Sequence, residues 1–269
     1  METTFTRTEF GVMTMAESPA AIARACGLAS SLEATGERIP RVVLYPRDLS
    51  VPDGYFDATI PLAEDPYKGP LSYLNKLVHP FALTPFARTL FIDSDVIVRR
   101  PLKDLVTKHF IGKPVALCVK HEPLDSAEVH GNHFTPKLFV EAFGTRMVQN
   151  PDGGGHMYFE SSPRSASIVA RALDFVTQQE DLYHRLSGDF AFVSDELALL
   201  AILTVDGITL PTRLGAVHPV QPNEVEATVA NLLEGRSQDG PNLLHFFGPG
   251  KEAEPYKRLV ASIPARWPV

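Results

Sequence analysis

Four things are scarce in this sequence, and each shortage closes a class of function. Cysteine is the first. Cys26 and Cys118 are the only two in 269 residues, too few for a disulfide framework or a thiolate zinc site. They read as small, reduced apolar residues. Positive charge is the second: 25 Lys and Arg stand against 32 Asp and Glu, for a formal net charge of −7. That balance excludes a broad basic field for nucleic acid or an anionic membrane surface. An acidic chain binds an anion only with local help, such as a metal ion or a helix N-terminus. Long apolar runs are the third, since no stretch approaches the ~20 residues that span a bilayer. The fourth is an apolar leader. Glu2, Arg7 and Glu9 interrupt the first eleven residues, unlike a secretory signal. The expectation is a soluble, cytoplasmic protein.

What is present is ordinary in bulk and informative in pattern. Hydrophobic residues are 44% and charged residues 21% of the chain, as in soluble globular proteins. Strand-like and helix-like segments alternate, which predicts an α/β layered fold. Phe10 to Met15 is a strand, followed by Ser18 as N-cap and Pro19 as a first helical residue. Ile22, Ala25, Cys26, Ala29 and Leu32 recur at helical spacing, and Gly36 closes that helix. Val42-Val43-Leu44 marks a buried strand, so the chain opens as β–α–β with a parallel sheet. Further on, 72–83 reads as a helix that Pro80 kinks or ends, and 89–92 as an apolar strand. Val115 to Val119 and Gly153 to Phe159 read as strands, Ser165 to Thr177 and Asp195 to Leu203 as helices, and Leu243 to Phe247 as a late strand. Lys120 to Pro136, rich in polar residues and histidine, reads as a surface loop. No repeat or linker divides the chain, which predicts one domain over 1–269.

Chemistry concentrates at two places. The strand Thr89-Leu90-Phe91-Ile92 runs into Asp93-Ser94-Asp95, and ligands of open α/β sheets bind outside such carboxyl ends. In an extended chain the two aspartates point to one side but lie about 6.6 Å apart, whereas a magnesium-sized ion takes oxygens at about 2.0–2.2 Å. Either the chain bends here, or Asp95 holds a metal while Asp93 reaches a ribose or an outer-shell water. The other place is His245-Phe246-Phe247-Gly248-Pro249-Gly250-Lys251. A neutral imidazole suits a divalent ion, Gly248 permits close backbone approach, and Lys251 follows as a partner for phosphate oxygens.

These motifs, in this order, resemble glycosyltransferase family eight, the glycogenin and galacturonosyltransferase-like group of GT-A-fold enzymes. The D-x-D after an apolar strand is here Leu90 to Asp95. The late H-F-x-G-x-x-K signature is matched by His245, Phe246, Gly248 and Lys251. Lys76 is similar to the family's basic residue on the preceding helix. The family's mid-chain N-[AS]-G turn stands here as Gly153-Gly154-Gly155 after Asp152, without the asparagine, and its terminal Pro-Trp is replaced by Glu252-Ala253. The resemblance implies a Rossmann-like, mostly parallel mixed sheet flanked by helices. It also implies transfer from a nucleotide diphosphate sugar, a UDP-sugar above all, with retention of configuration. It places Mn2+ or Mg2+ on Asp93, Asp95 and His245. Lys76 and Lys251 would meet the diphosphate, and Thr14 and Ala16 the base and ribose. Asp93, Ser94, Asp152, Gly153, Gly154 and Gly248 would line the donor, and Asp195 and Glu196, similar to the family's acidic cluster, would serve the sugar. The acceptor is not named by any residue.

Rival readings are weaker in the residues. His121, His130 and His133 suggest zinc, but lack the H-E-x-x-H helix geometry. The glycine triplet is no phosphate-binding P-loop, and Ser161-Ser162 lacks a G-x-S-x-G context. A sugar nucleotidyltransferase would carry a Gly-rich basic loop where Glu17-Ser18-Pro19 stands. A degenerate, binding-only glycosyltransferase remains the non-enzyme alternative.

Overall fold

The structure is a computed structural model. It describes residues 8–122, 136–144, 148–151, 155–187, 193–210, 217–234 and 241–266. In chain order the elements are β1 (Thr8–Met15), α1 (Pro19–Glu33), β2 (Arg41–Pro46), β3 (Ala58–Leu62), a 3-10 turn Gly69–Leu74 and α2 (Asn75–Leu83). Next come β4 (Phe86–Ile92), β5 (Val96–Val98), α3 (Lys103–His109), β6 (Val115–Ala116), β7 (Val119–Glu122) and α4 (Pro136–Phe143). They are followed by β8 (Val148–Pro151), β9 (His156–Glu160), α5 (Pro163–Gln178), α6 (Glu180–Ser187) and α7 (Asp195–Val205). The last are β10 (Val217–Pro219), α8 (Val225–Leu233), β11 (Leu243–His245), a 3-10 turn Gly248–Glu252 and α9 (Glu254–Arg266).

The main sheet has the order β3-β2-β1-β4-β9-β6. β3, β2, β1 and β4 are mutually parallel, and β9 runs antiparallel to both β4 and β6. A strand inside such a sheet has neighbours on both edges and helices over it, so it reads as a continuous apolar run. The four residues Thr89–Ile92 that close β4 are all buried. α1 starts as its sequence predicts: Ser18 Oγ accepts from the Ala21 N–H at 3.1 Å, and Pro19 occupies the first turn. A second sheet, β10-β11-β5, covers a smaller core built from Ile97, Val225, Leu244, Phe246, Tyr256 and Leu259. Among the described residues no helix is long and apolar enough to cross a membrane.

Of the two outcomes open to Pro80, it does not end its helix: it lies inside α2, and the Thr84 N–H closes the last turn on the Pro80 carbonyl at 3.1 Å. Two expectations are corrected. Ser72 to Leu74 belong to the preceding 3-10 turn, because Pro70 in its first turn sets a separate start there. Lys120 to Glu122 are strand rather than loop: β7 pairs antiparallel with β8, and the ladder satisfies backbone groups whatever the side chains are. Residues 123–135, with His130 and His133, lie outside the described residues.

Candidate metal and donor site

The site forms where the chain passes from one sheet to the other. β4 ends at Ile92, and the Asp93 N–H donates to the Gly155 carbonyl at 2.8 Å. The Val96 N–H then closes a tight turn onto the Asp93 carbonyl at 3.2 Å. β5 leaves that turn antiparallel to β11, with Val96 opposite His245. The Phe246 N–H donates to the Asp95 carbonyl at 3.0 Å. The chain therefore bends at the D-x-D, and the late histidine meets it by strand register.

The bend draws three ligand-bearing side chains together. Ligand atoms of Asp93, Asp95 and His245 all lie within 4.8 Å of one another. That approaches the ~4.2 Å that separates opposite ligands of an ion with bonds of about 2.1 Å. Asp95 and His245 side chains are only 7% and 10% exposed, with Nε2 3.3 Å from Oδ1. Oδ1 is buried and carries no hydrogen bond. An orphaned buried carboxylate oxygen beside an imidazole nitrogen is a donor pair that a divalent cation satisfies. The residues fit the ion that the resemblance implies.

Cations surround these carboxylates. Lys76 Nζ lies 2.9 Å from both Asp93 oxygens, and Lys251 Nζ 3.1 Å from Asp95 Oδ2. Burial opposes the charge on Asp95, yet His245, Lys251 and Lys76 together hold its carboxyl well below the usual range. Burial likewise opposes the Lys76 ammonium, and Asp93, Asp195 and Asp95 outweigh it and raise its pKa. Lys251 is carried by the 3-10 turn that opens at Gly248 with φ +52°, a left-handed backbone that suits glycine.

Asp195 and Glu196 begin α7, where Ser194 caps the helix by accepting from the Leu197 N–H at 3.2 Å. With Asp93, Gly155 and His156 they line a pocket walled by Phe91, Leu117, Met157 and Leu199. Burial in that apolar setting pushes Glu196 up to about 8, with Asp195 and Asp93 adding to it. Asp195 rises to about 6, again chiefly by burial, with Lys76 opposing and Asp93 reinforcing.

Of the residues expected from sequence, the structure brings Lys76, Asp93, Asp95, Asp195, Glu196, His245 and Lys251 around one region. Ser94 sits half-buried at the turn. Asp152, Gly153 and Gly154 lie outside the described residues. Thr14, on β1 between β2 and β4, is 1% exposed with Oγ1 buried and unpartnered. Ala16, one residue past β1, is fully buried with its N–H donated to the Leu44 carbonyl at 2.9 Å. Their contacts to base and ribose stay an expectation of the resemblance.

The sequence reading named Gly155 only as the last of the glycine run and did not single out His156. Gly155 has φ +71°, and a Cβ there would come within 2.9 Å of His245 Nδ1. It is the floor on which the imidazole lies, and the last place in a glycine run was its only signal. His156 accepts the Cys118 N–H on Nε2 at 3.0 Å. That acceptance fixes the tautomer, with any ring proton on Nδ1. Nothing local in the sequence marks it.

No family model matches the chain, and no curated protein matches it. Solved structures do. The galactosyltransferase LgtC, in complex with donor and acceptor sugar analogs, superposes with a TM-score of 0.57 at 16% identity over 94% of this chain and 95% of that one. Mouse xyloside xylosyltransferase 1 gives 0.53 at 12% identity over 88% and 97%. The glycosyltransferase GlyE of Streptococcus pneumoniae gives 0.56 at 13% identity over 97% of this chain and 63% of that longer one. With its mostly parallel mixed sheet flanked by helices, this chain has the fold of the GT-A glycosyltransferases.

Proposed function

We propose that this protein is a metal-dependent glycosyltransferase that moves a sugar from a nucleotide diphosphate donor, a UDP-sugar, to an acceptor. The observation that carries this reading is the meeting of Asp93, Asp95 and His245, with Lys76 and Lys251 on their carboxylates, at the carboxyl end of the central strand. The fold shared with solved glycosyltransferases agrees with it. Asp95 and His245, with Asp93, would hold Mn2+ or Mg2+. When bound, such an ion supplies Lewis-acid stabilisation of a leaving diphosphate.

The chain's own groups divide the remaining work. Lys76 and Lys251 each spend their ammonium on an aspartate here. Phosphate oxygens offered at the same place give both lysines a further partner, so they add positive charge where the leaving group gathers negative charge. Asp195, ionised around neutrality, accepts hydrogen bonds from sugar hydroxyls. Glu196, protonated below about pH 8, donates one. The apolar wall of Phe91, Leu117, Met157 and Leu199 limits water beside the reacting carbon. Retention of configuration follows the family resemblance, and a single catalytic domain over 1–269 follows from the lack of a repeat or linker in the sequence. A nucleotidyltransferase is not favoured, because the turn after β1 is Ala16-Glu17-Ser18-Pro19, without glycine or basic residues.

The test is nucleotide release from a panel of UDP-sugars with manganese. We expect turnover that EDTA abolishes and that Asp95→Ala lowers on the order of 100- to 1,000-fold. Full activity in EDTA, or in Asp95→Ala, would remove the metal from the account.

A further inference from the structure

The site is divided by charge as well as by place. On the metal side, Lys76 Nζ lies 2.9 Å from the Asp93 carboxylate and Lys251 Nζ 3.1 Å from Asp95 Oδ2. A nucleotide diphosphate sugar brings two negative charges there, and a divalent ion two positive ones. Two aspartates and two phosphate charges then stand against the ion and two lysines, and that side is neutral. Its cations are matched by its own ligands, with none left over for a further anion.

The sugar side is different. Asp93, Asp195 and Glu196 line one pocket together with His156, and the remaining walls are apolar. Among the described residues that line it there is no lysine or arginine. Lys76, whose field reaches Asp195, is already paired with Asp93. The histidine adds no positive charge. Its Nε2 accepts the Cys118 N–H at 3.0 Å, and a ring nitrogen that accepts carries no proton, so the imidazole is neutral. The carboxyls are also held in place. They stand in the first turn of α7, where Ser194 caps the helix and donates its own N–H to the buried Tyr183 hydroxyl. An anion that enters meets fixed carboxylates in a partly apolar setting, where like charges repel strongly.

We infer that this pocket is a charge filter that admits a neutral donor sugar and rejects a uronic acid, with Asp195 as the residue that sets its sign. The inference rests on the glycosyl-transfer reading above and names which donors that reading allows. A hexose and its uronate differ only at C6, where a CH2OH becomes a carboxylate. The hydroxyl donates or accepts, so it pairs with either carboxyl group. The carboxylate only accepts, and it adds a negative charge beside Asp195 and Asp93. A pyranose is compact, so its C6 group stays within a Debye length of both in any pose. Specificity of this kind comes from a repulsive element against the wrong ligand, without added contacts to the right one.

Calorimetry with manganese compares UDP alone with two donor pairs, UDP-glucose against UDP-glucuronate and UDP-galactose against UDP-galacturonate. In wild type the uronate of a pair should bind at least about tenfold more weakly than its hexose. Asp195→Asn, which keeps the shape and removes the charge, should bring that ratio below about threefold while UDP binding is kept. Glu196→Gln is the control. It replaces a side chain protonated below about pH 8 by a neutral one of the same shape, and at pH 7 it should leave the ratio as in wild type. A uronate bound by wild type as tightly as its hexose would overturn the inference, whether or not the variants fold. An unchanged ratio in folded Asp195→Asn would overturn it too, by making the exclusion one of shape. So would a ratio closed by Glu196→Gln alone, which would put the charge on the wrong residue. Failure of wild type to bind any of the four UDP-sugars, neutral or uronic, would instead strike the glycosyl-transfer reading itself.

Discussion

Asp95 and Asp195 are both aspartates beside the carboxyl end of the sheet, yet their surroundings push their carboxyls in opposite directions. Asp95 is buried but faces His245, Lys251 and Lys76, and stays ionised far into acid. At Asp195, burial among apolar neighbours, with Asp93 beside it, outweighs Lys76 and raises the carboxyl to about 6. The difference separates two halves of one site. The metal half gathers cations and lone pairs around buried carboxylates, each held by backbone register. The sugar half sets two adjacent carboxylates against apolar walls, where protonation is within reach at ordinary pH.

The sharpest way to break that division is at the floor of the metal half. Gly155→Ala would force a left-handed φ of +71° on a Cβ 2.9 Å from the His245 ring. Gly36, at φ +78° with nothing within 4 Å, is the matched control. Both alanine variants should lose about 1 kcal/mol of stability in denaturant titrations from backbone strain. Only Gly155→Ala should also lose manganese-dependent turnover, by more than about tenfold, because the ligand is displaced. Equal turnover in the two variants would mean that the imidazole position does not matter.

Lys251→Ala has a smaller expected effect. It removes one charge from the Asp95 side and should weaken UDP binding with manganese roughly tenfold by calorimetry. Unaltered affinity would take Lys251 out of the site.

The smallest effect sharpens the sugar half. Glu196 titrates near 4.5 when unfolded and about 8 when folded. The folded protein therefore holds the extra proton between those values, and stability contributed by the neutral form is lost as pH rises across that window. In the ligand-free protein Tm should decline with pH there, and Glu196→Gln should flatten the decline. An identical pH profile in the variant would show that Glu196 ionises normally.

The metal half was legible in the sequence because its signals are local. An apolar strand running into Asp93-Ser94-Asp95, and His245 followed by Gly248 and Lys251, are contiguous runs whose chemistry shows in the residue types. The opening β–α–β was legible for the same reason, through Ser18, Pro19 and the spacing of α1. What was not legible depends on contacts between distant segments. Thr14 looked available at a strand end, and only the pairing of β1 with both β2 and β4 shows it enclosed. Gly155 became a floor because β11 returns beside β5, and His156 gained its tautomer from Cys118, 38 positions away.

Direct titration of manganese into the protein in the presence of UDP tests the central claim with least interposed chemistry. Wild type should bind one ion, Asp95→Ala and His245→Ala should lose that binding while keeping the wild-type circular dichroism spectrum, and Gly36→Ala should bind as wild type does. Undiminished manganese binding in folded Asp95→Ala and His245→Ala would contradict the assignment of the metal to the turn where the two sheets meet.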